Sequence, residues 1–291
     1  MQPRFSPNGR TLVYRLAGVG RLDEGDLYTF DLVTNANTQL TFGGSNNEPI
    51  WSPDGKRILF SQVTDSTSED LFVKAADNSA PERRLLPLPG NQWPTAWPTE
   101  DQIVLVTETG PNGPDLVLWS PTNGGPPVPY LATPWAEHGL HVSPDGKLAA
   151  FVSNEAGASE IWIRDFPVPQ GKWRVSRGTS AAPRWSSDGR YLFYTHAGAG
   201  SGIDTLYRVG ITRSPSVVVS SSREALFIGD IDGIANWDLH PDGKRFVITL
   251  PESGMGLAAS RAAALQSTAR YLITLNWVAS LEREMAQQAK Q

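Results

Sequence analysis

One phrase recurs along this chain and limits what it can fold into. It reads Phe5-Ser6-Pro7-Asn8-Gly9-Arg10, then Trp51-Ser52-Pro53-Asp54-Gly55-Lys56, then, in worn form, Trp97-Pro98-Thr99-Glu100-Asp101. Val142-Ser143-Pro144-Asp145-Gly146-Lys147, Trp185-Ser186-Ser187-Asp188-Gly189-Arg190 and Leu239-His240-Pro241-Asp242-Gly243-Lys244 complete the set. The copies begin at positions 5, 51, 97, 142, 185 and 239 of 291 residues. A near-constant period of this length marks an array of repeated units, each burying its apolar face against its neighbours.

Every copy has the same internal grammar. An aromatic or aliphatic residue ends one strand. The Ser-Pro-Asp-Gly stretch then turns the chain: Pro fixes φ, Asp bonds its own backbone, and Gly accepts positive φ. A β-rich run follows, such as Ile58-Leu59-Phe60 or Leu192-Phe193-Tyr194, then a third such as Ile161-Trp162-Ile163, and often a fourth such as Arg84-Leu85-Leu86. Four short strands per repeat is the arithmetic of a propeller blade. The expected fold is therefore all-β: a six-bladed β-propeller of four-stranded antiparallel blades, one domain over 1–291. Blades start near 1, 47, 93, 138, 181 and 234. The last repeat is irregular. Its stretch 251–268 is rich in Ala, Ser and Gly, and 271–275 reads as a third strand. A short C-terminal helix is expected at about 277–289, where Trp277, Leu281 and Met285 share a face.

Composition narrows the function. With no Cys there is no disulfide, no Cys-ligated zinc and no thiol nucleophile. The net charge of −5 and the lack of a basic run speak against nucleic acid as a partner. No stretch of 18 apolar residues exists, so no membrane-spanning helix is expected, and the opening residues as written carry no secretory h-region.

The usual catalytic signatures are absent from the sequence: no Gly-x-Ser-x-Gly elbow, no phosphate-binding glycine loop and no His-Glu-x-x-His. The aspartates of the repeated turn read as turn residues, as does His240, which stands in the Ser position. Trp51, Trp97 and Trp185 fill the repeated slot and read as core, whereas Trp93 and Trp135 lie outside it. In a propeller the innermost strand of each blade lines a central channel. The residues entering that strand should therefore form a ring at its mouth, where binding groups can vary without breaking the fold. The ring expected here is Asn47, Glu48, Trp93, Glu137, His138 and Asn236. No cofactor is firmly implied; the mixture suits either a water-filled polar channel or a site for Ca²⁺ or another divalent cation. Two classes of function follow. One is a non-catalytic propeller that binds a protein, a peptide or a small ligand in the channel. The other is a hydrolase or lactonase-like enzyme using Glu48, Glu137, His138 and Asn236 as metal ligands or general acid and base.

The Trp/Phe-Ser-Pro-Asp-Gly turn followed by a β run resembles the TolB-like six-bladed propellers. The second half adds an ordered series: Leu131-Ala132-Thr133-Pro134, His141-Val142-Ser143-Pro144-Asp145-Gly146, Phe151-Val152-Ser153-Asn154, Ile161-Trp162-Ile163-Arg164-Asp165 and Pro183-Arg184-Trp185. That order is similar to the propeller carried C-terminal to bacterial receptor-type serine/threonine kinases, as is the ending Leu275-Asn276-Trp277 with its charged helix. No kinase motif accompanies it in this sequence. The resemblance implies a sensing or docking module, periplasmic or otherwise extracytoplasmic, and for TolB-like proteins a protein-binding propeller of the bacterial envelope. It speaks for fold more than for function.

Overall fold

The computed structural model describes residues 2–18, 21–65, 68–110, 113–198, 203–213, 216–229, 236–249 and 271–274. Its strands follow the repeat. Arg4–Phe5, Thr11–Gly18, Arg21–Asp31 and Asn37–Gln39 form the first antiparallel group, and Ser45–Trp51, Arg57–Asp65, Ser68–Ala75 and Arg83–Arg84 the second. One parallel bridge, Gly25 to Ser45, joins these two into a single sheet. Three separate four-stranded sheets follow, beginning with Asn91–Thr99, Glu137–Val142 and Ser180–Trp185. A last sheet contains Trp237–Leu239, Arg245–Ile248 and Tyr271–Thr274. The architecture is all-β with four-stranded antiparallel sheets, as the repeat requires.

The last sheet departs from the pattern. Tyr271–Thr274 is a strand, but it pairs in parallel with Arg245–Ile248. A parallel neighbour needs a crossover of a dozen or more residues, and the connection here has about 20. The expected C-terminal helix at 277–289 lies outside the described residues.

The turn phrase folds as its chemistry dictates. The glycines at 9, 55, 146, 189 and 243 all have φ between 66° and 70°. Each donates its N–H to the carbonyl three residues back, at 2.8–2.9 Å. The Ser52, Ser143 and Ser186 hydroxyls donate to the aspartate two residues on, at 2.6–2.7 Å. Each also accepts an N–H five residues on, at 2.9 Å. The turn is thus closed from both sides before the second strand begins.

Every core cluster spans two neighbouring strand groups. Val104, Val106 and Leu116 pack with Leu140, Ala149 and Phe151. Ala150, Ile161 and Ile163 pack with Trp185, Leu192 and Tyr194, and Phe193 and Leu206 pack with Trp237 and Phe246. Val247 of the last sheet packs with Phe5 and Leu12 of the first. The sheets therefore stand radially around a centre, each packed on its neighbours.

Candidate functional site

Alternation within the innermost strands decides what faces that centre. The slot residues (Phe5, Trp51, Trp97, Val142, Trp185 and Leu239) and the residues before them alternate between the two faces of each sheet, and both sets reach the central cavity. Those preceding residues are Arg4, Ile50, Ala96, His141, Arg184 and Asp238, and all six line one cavity of about 790 Å³.

Three of these strands carry a bulge at the same repeat position. Pairing slips between Asn47 and Ile50, between His138 and His141, and between Ala181 and Arg184. At each slip one residue is left-handed: Glu48 with φ 47°, Gly139 with φ 62° and Ala182 with φ 51°. A bulge inserts an extra residue and re-aims its neighbours. Glycine adopts this conformation freely; Glu48 and Ala182 hold it at a cost of about 1 kcal/mol each.

The cavity wall is electrostatically structured. Arg184 Nε donates to Asp238 Oδ1 at 2.8 Å, and the other oxygen of Asp238 accepts the Phe5 N–H at 2.8 Å. This pair is almost completely buried. Arg4 Nη1 donates to the carbonyls of Pro3 at 2.8 Å and Trp237 at 3.4 Å. Burial, with Arg184 nearby, brings the Arg4 guanidinium down to about 10. His141 Nδ1 accepts the Trp185 N–H at 3.1 Å, so the neutral ring carries its hydrogen on Nε2. Burial, then Arg184 and Arg4, push His141 down to about 3. Burial also lowers His138. Glu48 receives a bond from Gln2 Nε2 at 2.5 Å, while its N–H donates to Gln2 Oε1 at 2.7 Å. Its pKa is raised, by burial first and by Glu69, against the pull of Arg4.

Of the six residues expected at the channel mouth, Glu48, Trp93 and His138 line the cavity. The other three do not. The Asn47 amide donates to Glu69 Oε1 at 3.0 Å. Glu137 is 2% exposed: Thr133 Oγ1 donates to its Oε1, and its Oε2 is buried without a hydrogen-bond partner. Burial raises the Glu137 carboxyl, and Asp115 and Glu155 raise it further. The Asn236 carbonyl accepts the Thr249 N–H at 3.0 Å. Sequence reasoning missed Arg4, Arg184 and Asp238, and left His141, paired with His138 three residues before it, out of the ring. A signal was present: charged or imidazole side chains immediately before a core slot must face away from that core. Trp135 is exposed. Among the described residues, no group of three or more His, Asp or Glu could hold a metal ion.

No family model matches the chain. It is 32% identical over 104 residues to an uncharacterized protein of Agrobacterium fabrum, covering 35% of this chain and 34% of the relative. It is 26% identical over 171 residues to the Tol-Pal system protein TolB of Francisella tularensis subsp. mediasiatica, covering 58% of this chain and 38% of that protein. The matched stretches thus span little more than a third of either relative. Among solved structures, a putative TolB from Agrobacterium tumefaciens superposes with a TM-score of 0.64 at 17% identity, covering 79% of this chain and 80% of that one. The chain has a TolB-like propeller fold.

Proposed function

We propose that this chain is a non-catalytic binding propeller of the TolB-like type, with six blades, that takes a partner protein, a peptide or a small ligand at the mouth of its central cavity. Arg4, Glu48, Trp93, His138, His141 and Arg184 form the contact surface. Asn47 and Glu137 hold the entrance strands beneath it, with Asn236 at the mouth of the last strand. One observation carries this reading: the cavity-facing groups are locked by bonds to the scaffold. His141 is fixed by the Trp185 N–H and held neutral, so it is a poor proton acceptor at ordinary pH. Arg184 is fixed by Asp238. A pre-organised wall favours recognition, because little ordering cost remains on binding. The relatives named as Tol-Pal system proteins support a protein-docking role at the bacterial envelope, with a periplasmic location.

The test compares the wild-type chain with a Trp93→Ala/His138→Ala double variant as bait in extract of the source bacterium. A partner retained by the first and lost by the second, with melting temperatures within a few degrees, is the expected result. Identical capture by both would move the functional surface to the outer strands.

A further inference from the structure

The six cavity-facing residues before the slot are not mixed around the ring. His141, Arg184, Asp238 and Arg4 come from consecutive sheets, because the last sheet abuts the first; Ile50 and Ala96 come from the two sheets between. Trp93 and Pro94 extend the apolar side. At the position before the slot, the polar residues are therefore consecutive and the apolar ones adjacent, with Glu48 on the same strand as Ile50.

The polar run is rich in donors that have no acceptor. Arg4 spends only Nη1 on protein carbonyls; its Nε and Nη2 have no acceptor, and no carboxylate lies within 4.0 Å of its guanidinium, among the described residues. Arg184 spends Nε on Asp238 and Nη1 on the Pro183 carbonyl, leaving Nη2. His141 presents Nε2–H, because its Nδ1 is an acceptor. Both oxygens of Asp238 are engaged, by Arg184 and by the Phe5 N–H. Arg4 and Arg184 both act electrostatically on His141, so the three groups share one field.

Counting charge decides which anion fits. Asp238 cancels Arg184. Burial lowers both His138 and His141, which favours their neutral rings. Asp145, also in the lining, is engaged by Arg213. Glu69 accepts from Asn47 and Ser61. That leaves one cation, Arg4, opposed at longer range by Glu48. Arg4 is the cavity cation with no carboxylate within 4.0 Å among the described residues; a single such cation suits a monoanion better than a dianionic phosphate, and its planar guanidinium matches a carboxylate in two-point geometry.

We propose that the cavity binds a monocarboxylate with an apolar body, its carboxylate on Arg4, Arg184 and His141 and its body against Ile50, Ala96 and Trp93. This rests on the binding-propeller reading and names the ligand class for it. Glu48 acts as a counterweight: it repels the incoming carboxylate when ionised, so its neutral amide should improve binding.

Isothermal titration of the full chain with phenylacetate tests this, with phenylacetamide and inorganic phosphate as controls at matched ionic strength. Saturable binding of phenylacetate is expected, at least about tenfold tighter than either control. Arg4→Gln should weaken it about tenfold or more, Arg4→Lys should recover only part, and Glu48→Gln should tighten it several-fold. Glu48→Gln remains informative if the Arg4 variants fold poorly. Equal binding of phenylacetate and phenylacetamide would overturn the carboxylate assignment while leaving the cavity as the binding site. No saturable signal with millimolar phenylacetate would overturn it too. Partner capture that survives the Trp93→Ala/His138→Ala change would instead overturn the underlying reading.

Discussion

Where the sheet beginning at Glu137 meets the sheet beginning at Ser180, one tryptophan ties the shared core to the neighbouring backbone. Trp185 lies in the shared core, and its Nε1 donates to the His141 carbonyl at 3.1 Å. Trp51 does the same one repeat after the start, donating to the Arg4 carbonyl at 3.0 Å. Where the last sheet meets the first, no slot tryptophan is available, since the first slot holds Phe5. Asp238 accepts the Phe5 N–H there, and His240 Nε2 lies 3.0 Å from the Gly9 carbonyl oxygen. The Phe5 and His240 rings meet edge to face at 5.0 Å. A repeated junction can thus rest on one side chain aimed at backbone. The closing junction joins a two-residue strand to a three-residue one, and specific polar bonds supplement its small apolar cluster of Phe5, Leu12 and Val247.

The comparison can be broken most severely at Asp238. Asp238→Ala strands the buried Arg184 and orphans the Phe5 N–H, so about 3–5 kcal/mol should be lost in urea melts. Next, His240→Ser restores the repeat's own turn residue but removes the reach to Gly9 and the ring contact with Phe5. A loss of about 1–2 kcal/mol is expected, and none would mean the closing junction does not depend on His240. A finer contrast uses Trp→Phe at two slots. Trp185→Phe should cost about 1 kcal/mol more than Trp97→Phe, because the buried Trp97 Nε1 has no hydrogen-bond partner to lose.

Acid gives the smallest and broadest effect. The Ser186 hydroxyl and the Arg190 N–H hold Asp188 at about 2. At Asp242, burial pushes the carboxyl up, but the N–H groups of Lys244 and Arg245 and the Arg245 side chain bring it to about 2. Both folded values lie below the ~3.9 of an unfolded aspartate, so the stability they add is complete above about pH 4 and fades as pH falls toward 2. Melting temperature should drop across that window, and Asp188→Asn should make the drop shallower. An unchanged slope would show that this turn carries no linked proton.

The fold was legible because its signal is repetitive: Ser52, Ser143 and Ser186 form the same bonds that their identical neighbours imply. The parallel pairing of Tyr271–Thr274 was not, because its run of β-formers says nothing about strand direction. The candidate site was half legible. Position in the repeat led to Glu48, Trp93 and His138, but strict alternation does not reveal bulges, and the slip between His138 and His141 leaves both of them in the cavity lining. Arg4 and Asp238 were hidden for a different reason. Their roles arise between the two ends of the array, where the repeat has no neighbouring copy to compare.

The shortness of Arg4–Phe5 also determines how the ring carries load. Its two residues pair with Val13 and Leu12, and beyond that they hold the last sheet through Asp238 and the Trp237 carbonyl. A pull on the chain upstream of Arg4 meets these bonds one after another and peels them. A pull across a long strand such as Val218–Gly229 must shear many at once. Tension on the chain upstream of Arg4 is therefore borne by the part of the wall that presents Arg4 to the cavity.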